Sequence, residues 1–271
     1  MSAEIPDLAI DGSGSECARC VLAPNPSLMT LDGTNTWVIA EPGSSSVVVV
    51  DPGPADEEDH FQRVLRAATK GDRRVAQIVL THGHLDHSGG AARFAELAGA
   101  PVGALDPALR LGSEGFAPGD VITAAGCELR VVGTPGHSAD SLSLLLEADD
   151  ALLTGDTVLG RGTAVIAQDG GLGDYLRTLD ELRGLAATTG RSGELKVLLP
   201  GHGPVLSDPA GVLDYYIAHR EERLDQVRAA VDAGARTPAE VVAIVYTDVN
   251  RALWPAAEKS IQAQLDYLRA R

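Results

Sequence analysis

Thr81-His82-Gly83-His84-Leu85-Asp86-His87 decides how this 271-residue chain is read. Three of its seven histidines fall within six residues. His82 and His84 are two apart, which on extended backbone points both imidazoles to one side. Asp86 and His87 follow where the chain must turn. Imidazole and carboxylate are the borderline ligands that zinc prefers, and Gly83, Gly89 and Gly90 permit tight backbone paths around an ion. The apolar run Val75 to Leu80 reads as a strand that delivers this cluster at its end.

Moving outward, three further candidates share one context, a short strand stopped by a turn with glycine directly before the side chain. They are His137 in Thr134-Pro135-Gly136-His137, Asp156 in Thr154-Gly155-Asp156-Thr157 and His202 in Pro200-Gly201-His202-Gly203. Sites built from loops at strand ends are common catalytic places. Asp51, also at a strand end, is expected to orient a ligand histidine from behind, or else to be a solvated carboxylate. Tyr175, Arg161 and Thr163 are candidate substrate contacts. His60 lies in a polar helical stretch and is expected to be exposed. His219 is expected to pack between domains. Cys17-Ala-Arg-Cys20 is a lone CxxC whose thiols would face opposite sides of a strand, and Cys127 reads as a small buried hydrophobe.

The coarse pattern places strands over 17–23, 36–40, 46–51, 75–80, 128–133, 141–146, 151–154 and 196–199. It places helices over 56–69, 91–98 and 173–188, the last amphipathic and carrying Leu176, Leu179, Leu182 and Leu185. From Pro209 helices dominate, over 212–234 and 256–270, with Thr237-Pro238-Ala239-Glu240 as a helix start. The expected organisation is a polar, flexible N-terminus over 1–16, an α+β domain over 17–208 and a small helical domain over 209–271.

Hydrophobic residues at 44% can fill a sizeable core, while aromatics at 4% leave few rings for stacking on nucleic-acid bases. The net charge of −16 does not draw phosphate backbones over long range. It is uneven: residues 1–213 hold 14 basic against 29 acidic side chains, residues 214–271 hold 8 against 9. Three cysteines are no disulfide framework. Met1 to Glu16 is acidic and lacks the apolar core of a signal peptide, and no apolar run is long enough for a membrane helix, so a cytoplasmic protein without membrane partners is expected.

The His cluster resembles the T-H-x-H-x-D-H signature of the metallo-β-lactamase-fold superfamily. Gly33-Thr34-Asn35-Thr36-Trp37, Asp51-Pro52-Gly53 and Thr134-Pro135-Gly136-His137-Ser138 are similar to its other motifs, although Ser138 stands where relatives often carry Thr. His219 to Arg223 and Val245 to Val249 resemble the winged-helix-like extension of the β-lactamase-like protein 2 branch. The resemblance implies a four-layer αββα sandwich with a two-metal site at one edge and a small winged-helix-like C-terminal domain, any last wing strand being short or absent. It implies two zinc ions per chain, with manganese or iron as alternatives: His82, His84 and His137 on one, Asp86, His87 and His202 on the other, and Asp156 bridging. Asp86 and Asp156 are then the candidate catalytic residues. Two cations roughly 3.5–4 Å apart can share a hydroxide as nucleophile.

Fold does not settle substrate. An endoribonuclease or phosphodiesterase on single-stranded RNA, a glyoxalase II-like hydrolase of small esters or thioesters, and a non-catalytic regulatory protein that binds nucleic acid are the three expectations. The complete ligand set argues against the last.

Overall fold

The computed structural model describes residues 9–10, 15–166, 169–247 and 249–270. The frayed N-terminus expected over 1–16 falls mostly outside them. Ala9–Ile10 form a strand, β1, paired antiparallel with β2 (Ala18–Leu22).

Two six-stranded sheets build the body. The first runs in chain order, β1, β2, β3 (Asn35–Ile39), β4 (Ser46–Val50), β5 (Arg74–Val79) and β6 (Val102–Gly103). The second is ordered β12 (Leu206–Ser207), β11 (Val197–Pro200), β10 (Ala151–Gly155), β9 (Leu142–Leu146), β8 (Cys127–Gly133) and β7 (Val121–Ala124).

Alternation along the central strands explains the layering. Leu144, Leu146, Ala151, Leu153, Val197 and Leu199 enter one core together with Val47 to Val50, Ile78 and Trp37 of the facing sheet. Their neighbours Leu145, Leu152 and Leu198 point the other way, into a second core against helices. Side chains of a strand alternate between faces, so strands apolar at every position require cover on both. Helices α1 (Glu58–Ala68) and α3 (Ala91–Ala98) cover the first sheet through Phe61, Val64 and Phe94. Helix α4 (Leu172–Ala186) and the first half of α5 (Pro209–Asp232) cover the second. The result is the αββα sandwich that the sequence motifs implied. A one-turn helix, α2 (Leu85–Ser88), carries Asp86 and His87.

Three helices make the C-terminal part. The second half of α5 contributes Val227 and Ala230, α6 (Pro238–Val245) contributes Val241 and Val242, and α7 (Trp254–Arg269) contributes Ile261 and Leu265 to a third core. Thr237 and Glu240 cap α6 reciprocally as a capping box. No strand follows β12 among the described residues. Helix α5 is continuous through both cores, so one rigid rod ties the small helical part to the sandwich.

Candidate metal centre

The site forms because two pairs of parallel strands end at the same edge. β4 and β5 are parallel, with Val50 beside Val79. Just beyond that pair Asp51 and Thr81 meet: Asp51 Oδ1 accepts from the Thr81 N–H at 2.8 Å. β10 and β11 are parallel, with Gly155 beside Pro200, so Asp156 and His202 emerge side by side. The Leu142 N–H donates to the Thr81 carbonyl at 2.8 Å and ties the sheets together behind the site. Gly201 is required by closeness: a Cβ there would lie 2.5 Å from Asp156 Oδ1 and 2.7 Å from His87 Cε1. Asp51 takes a left-handed φ of 53°, a region that Asp enters more readily than most residues.

Seven polar side chains converge. His84 Nδ1 lies 3.0 Å from both His82 Nε2 and His137 Nε2. His202 Nε2 lies 3.1 Å from His87 Nε2 and 3.1 Å from Asp86 Oδ2. Asp156 stands between the groups, 3.4 Å from His87 Nε2 and His202 Nε2 and 3.7 Å from His137 Nε2.

Each imidazole is held from outside by a partner that fixes its proton. His137 Nδ1 donates to the Val165 carbonyl at 2.7 Å, and His202 Nδ1 to the Gly33 carbonyl at 3.0 Å. His87 Nδ1 donates to Asp51 Oδ2 at 2.9 Å. His84 Nε2 faces Asp169 Oδ2 at 3.1 Å. Thr81 Oγ1 gives its only proton to Asp51 Oδ2 at 2.7 Å, so at 3.0 Å it accepts from His82 Nδ1. Outer partners of this kind set the tautomer of a ligand histidine. In neutral rings so held, all five inward nitrogens present lone pairs.

Lone pairs 3.0 to 3.1 Å apart repel unless a cation sits among them. Asp156 Oδ1 points the same way: it is buried and has no hydrogen-bond partner. Burial drives His82 well below the usual imidazole range, with the charge of His87 adding to the effect. Burial also opposes charge on His87 and His202, yet the Asp156 carboxylate, helped by Asp51 and Asp86 respectively, outweighs it. His87 rises well above the ordinary value and His202 to about 9. A cation would take the place of the protons these carboxylates otherwise hold. The donor set, five imidazole nitrogens with carboxylates, fits zinc or a related divalent ion. The groups that can hold one are His82 with His84 and His137, Asp86 with His87 and His202, and His82 with His87 and Asp156.

Several expectations are corrected. Tyr175 is fully buried and reaches no substrate: it belongs to the apolar stripe of α4 with Leu172, Leu179 and Leu182, and its hydroxyl donates to the Thr157 carbonyl at 2.6 Å. Of the four leucines, Leu179 and Leu182 are buried with it, Leu185 is partly buried and packs against the same core, and Leu176 is partly buried. His60 is not exposed but fully buried on the inner face of α1, with Nε2 donating to Thr36 Oγ1 at 2.9 Å. Cys17 precedes its strand, so the opposite-face rule does not apply, and both thiols of the CxxC lie in the sandwich core. Burial pushes Cys20 up to about 12. Arg161 and Thr163 line a cavity shared with His137 and Asp156.

Two supports escaped sequence reasoning. Asn35 donates to the Pro200 and Gly203 carbonyls at 2.9 and 2.8 Å, clamping the loop that carries His202. Asp169 backs His84. The Gly33 to Trp37 motif was the available signal for the first, and nothing near Asp169 in the sequence marks it.

A family model described as the metallo-beta-lactamase superfamily matches residues 29–202. The chain belongs to the metallo-beta-lactamase superfamily. A second model, the beta-lactamase associated winged helix domain, matches residues 237–271. The chain is 30% identical to the Beta-lactamase-like protein 2 homolog of Drosophila melanogaster, over 92% of this chain and 86% of that one. It is 32% identical to the Atrochrysone carboxyl ACP thioesterase of Aspergillus fumigatus, over 89% and 77% respectively. Among solved structures, a beta-lactamase domain protein from Burkholderia ambifaria matches with TM-score 0.80 at 21% identity, over 99% of this chain and 90% of that one. A metallo-beta-lactamase family protein from Thermus thermophilus matches with TM-score 0.76 at 22% identity, over 93% of each chain. These two carry the fold alone. Superfamily membership makes the chain a hydrolase with a His/Asp cluster suited to divalent metal. No helix among the described residues is long and apolar enough to cross a membrane.

Proposed function

We propose that this chain is a binuclear, zinc-type thioesterase acting on small acyl thioesters. The observation that carries the reading is the set of five inward imidazole lone pairs around Asp156, facing a cavity walled by Leu28, Met29, Leu159 and Leu253. The thioesterase relative supports the same substrate class. A cytoplasmic setting agrees with three cysteines that are free and buried.

His82, His84 and His137 would hold one ion, Asp86, His87 and His202 the other, and Asp156 would bridge. Bound cations of this kind polarise a carbonyl and lower the pKa of a coordinated water toward neutrality. The chain's own residues do the rest. Asp51 keeps a proton on His87 Nδ1 and, through Thr81, on His82 Nδ1, so both rings stay turned inward. Asp86, about a third exposed where Asp156 is nearly buried, is the carboxylate open to the substrate side and placed to take up the proton of the attacking water. The water oxygen bonds to the acyl carbon and the C–S bond breaks; the proton held by Asp86 goes to the leaving thiolate, and the acyl group departs as a carboxylate with the remaining proton released to solvent.

The test is metal analysis of the purified protein together with parallel assays on acyl thioesters and on single-stranded RNA. Thioester turnover that disappears in His84→Ala and Asp156→Ala, with metal content lowered, is expected. RNA cleavage without thioester turnover would replace this reading by the phosphodiesterase one, and full activity after chelation would remove both.

A further inference from the structure

The sandwich and the C-terminal helices line an open-sided cavity of about 350 Å³ that includes His137 and Asp156 in its wall. An adjoining space of about 430 Å³ shares Leu28, Met29, His137 and Asp156 and adds His84, Asp86 and Lys259. The first cavity is apolar for most of its circumference. Besides His137 and Asp156, its polar lining comprises Arg161, Thr163 and Ser260 and the face made by α5, which presents His219, Arg220 and Arg223.

Those arginines have unusual partners. Arg220 is 6% exposed, donates to the Ala164 carbonyl and lies 4.9 Å over the Tyr175 ring. Arg223 donates to Gln226 and the Val245 carbonyl and lies 4.7 Å over the Tyr246 ring. Among the described residues neither has a carboxylate partner, in a chain whose net charge is −16. Arg220 Nε and His219 Nδ1 are also buried without any hydrogen-bond partner. Arg220 is a desolvated cation without a counter-ion, which is costly; Arg223 is half-buried beside it, and a guanidinium matches the two oxygens of a carboxylate. Arg161, by contrast, is already paired with Asp32.

Resting on the thioesterase reading, the geometry points to a substrate whose acyl group carries a second, distal carboxylate: the apolar body fills the cavity, and Arg220 and Arg223 bind the far anion while the thioester carbonyl lies at the His137 and Asp156 side. Lys259, which lines the adjoining space but not the first cavity, faces the thiol portion. A nucleic acid fits this less well, because the cationic face lines a mostly apolar cavity of only about 350 Å³ and few rings are available for stacking.

The experiment compares N-acetylcysteamine monothioesters of four- to eight-carbon dicarboxylic acids with neutral acyl thioesters of the same length. The metal-loaded protein is expected to favour one dicarboxylic length at least tenfold in kcat/KM. Arg223→Gln should lower that substrate by about 30-fold and the neutral one by less than about threefold, the size of one hydrogen bond to a charged group. Arg220→Lys, which keeps the charge, should fall between. An equal fall for both substrates, or no preference at any length, overturns the proposal. If Arg223→Gln impairs only coenzyme A esters, the anion is the carrier phosphate and the acyl assignment is overturned. Calorimetry with free glutarate and adipate on the metal-free protein gives a second readout: binding lost in Arg223→Gln supports the pocket even if no thioester is cleaved, which would sink only the thioesterase reading. No dicarboxylate binding, or Arg223-dependent binding of single-stranded RNA in its place, overturns the proposal.

Discussion

Asp51 and His87 are joined by a 2.9 Å hydrogen bond in which both side chains are essentially excluded from solvent. The same carboxylate holds Thr81 through two further bonds, and Thr81 holds His82. One aspartate therefore orients a histidine in each proposed coordination group. Removing outer partners of ligand histidines typically costs 10–100-fold in metal affinity. Asp51→Ala is expected to weaken binding at both positions by about that factor, with activity restored at raised zinc concentration. A zinc titration that gives unchanged affinity would leave Asp51 a purely structural residue.

Gly201 and Gly184 make a matched pair. A methyl at Gly201 collides with Asp156 and His87, whereas one at Gly184, on the exposed side of α4, meets nothing within 4 Å. Neither glycine has a left-handed φ, so the contrast is steric. Gly201→Ala should cost roughly 1–3 kcal/mol as overpacking and displace two proposed ligands. Gly184→Ala should stabilise by up to about 1 kcal/mol through helix propensity. Thermal melts with metal quantification on both variants check the pair. Normal metal content in Gly201→Ala would mean that Asp156 and His87 can shift freely.

Five imidazoles crowded around the carboxylates of Asp86 and Asp156 must share protons in the metal-free chain, and a cation that replaces those protons should stabilise the fold. An ion present at a thousand times its Kd adds about 4 kcal/mol, or roughly 10 °C in a domain of this size. Chelation should lower the melting temperature by about that amount, and zinc should restore it. Identical melts with and without chelator would remove the metal from the account of stability.

The metal edge was readable because its residues are few, polar and spaced by strand geometry: the group from His82 to His87 sits on one strand end and one turn, and the glycines before His137, Asp156 and His202 mark the loops. The helix faces were read less well. The leucines of α4 include Leu179 and Leu182, which are buried, and Leu185, which packs against the same core, but Tyr175 also belongs to the buried stripe, its backbone so close to Gly136 that a Cβ there would lie 2.4 Å from it. Asp169 was not legible at all, since its contact with His84 spans 85 residues and follows no local period. The short strands β6, β7 and β12 were missed for a related reason: two to four residues carry too little alternation to stand out.

His60 was misread as a surface residue, and its burial has a consequence for acid stability. Burial, aided by the charge of Arg63, lowers its pKa to about 4. Arg63 donates to Nδ1 at 3.3 Å and Nε2 donates to Thr36, whose hydroxyl donates to the Asp51 carbonyl at 2.6 Å. The neutral ring thus props the turn that carries Asp51. In the unfolded chain His60 titrates near 6.5. Between pH 6.5 and 4 the unfolded state therefore binds more protons than the folded one, and stability falls as pH falls through that window. At 1.36 kcal/mol per pKa unit the full loss is about 3 kcal/mol. His60→Gln keeps a donor for Thr36 but cannot titrate. Its stability relative to the parent should therefore improve progressively from about pH 7 to about pH 4, measured by denaturant unfolding at each pH. Parallel stability curves for the two proteins would show that the ring is protonated in the fold and that the prop does not depend on its neutrality.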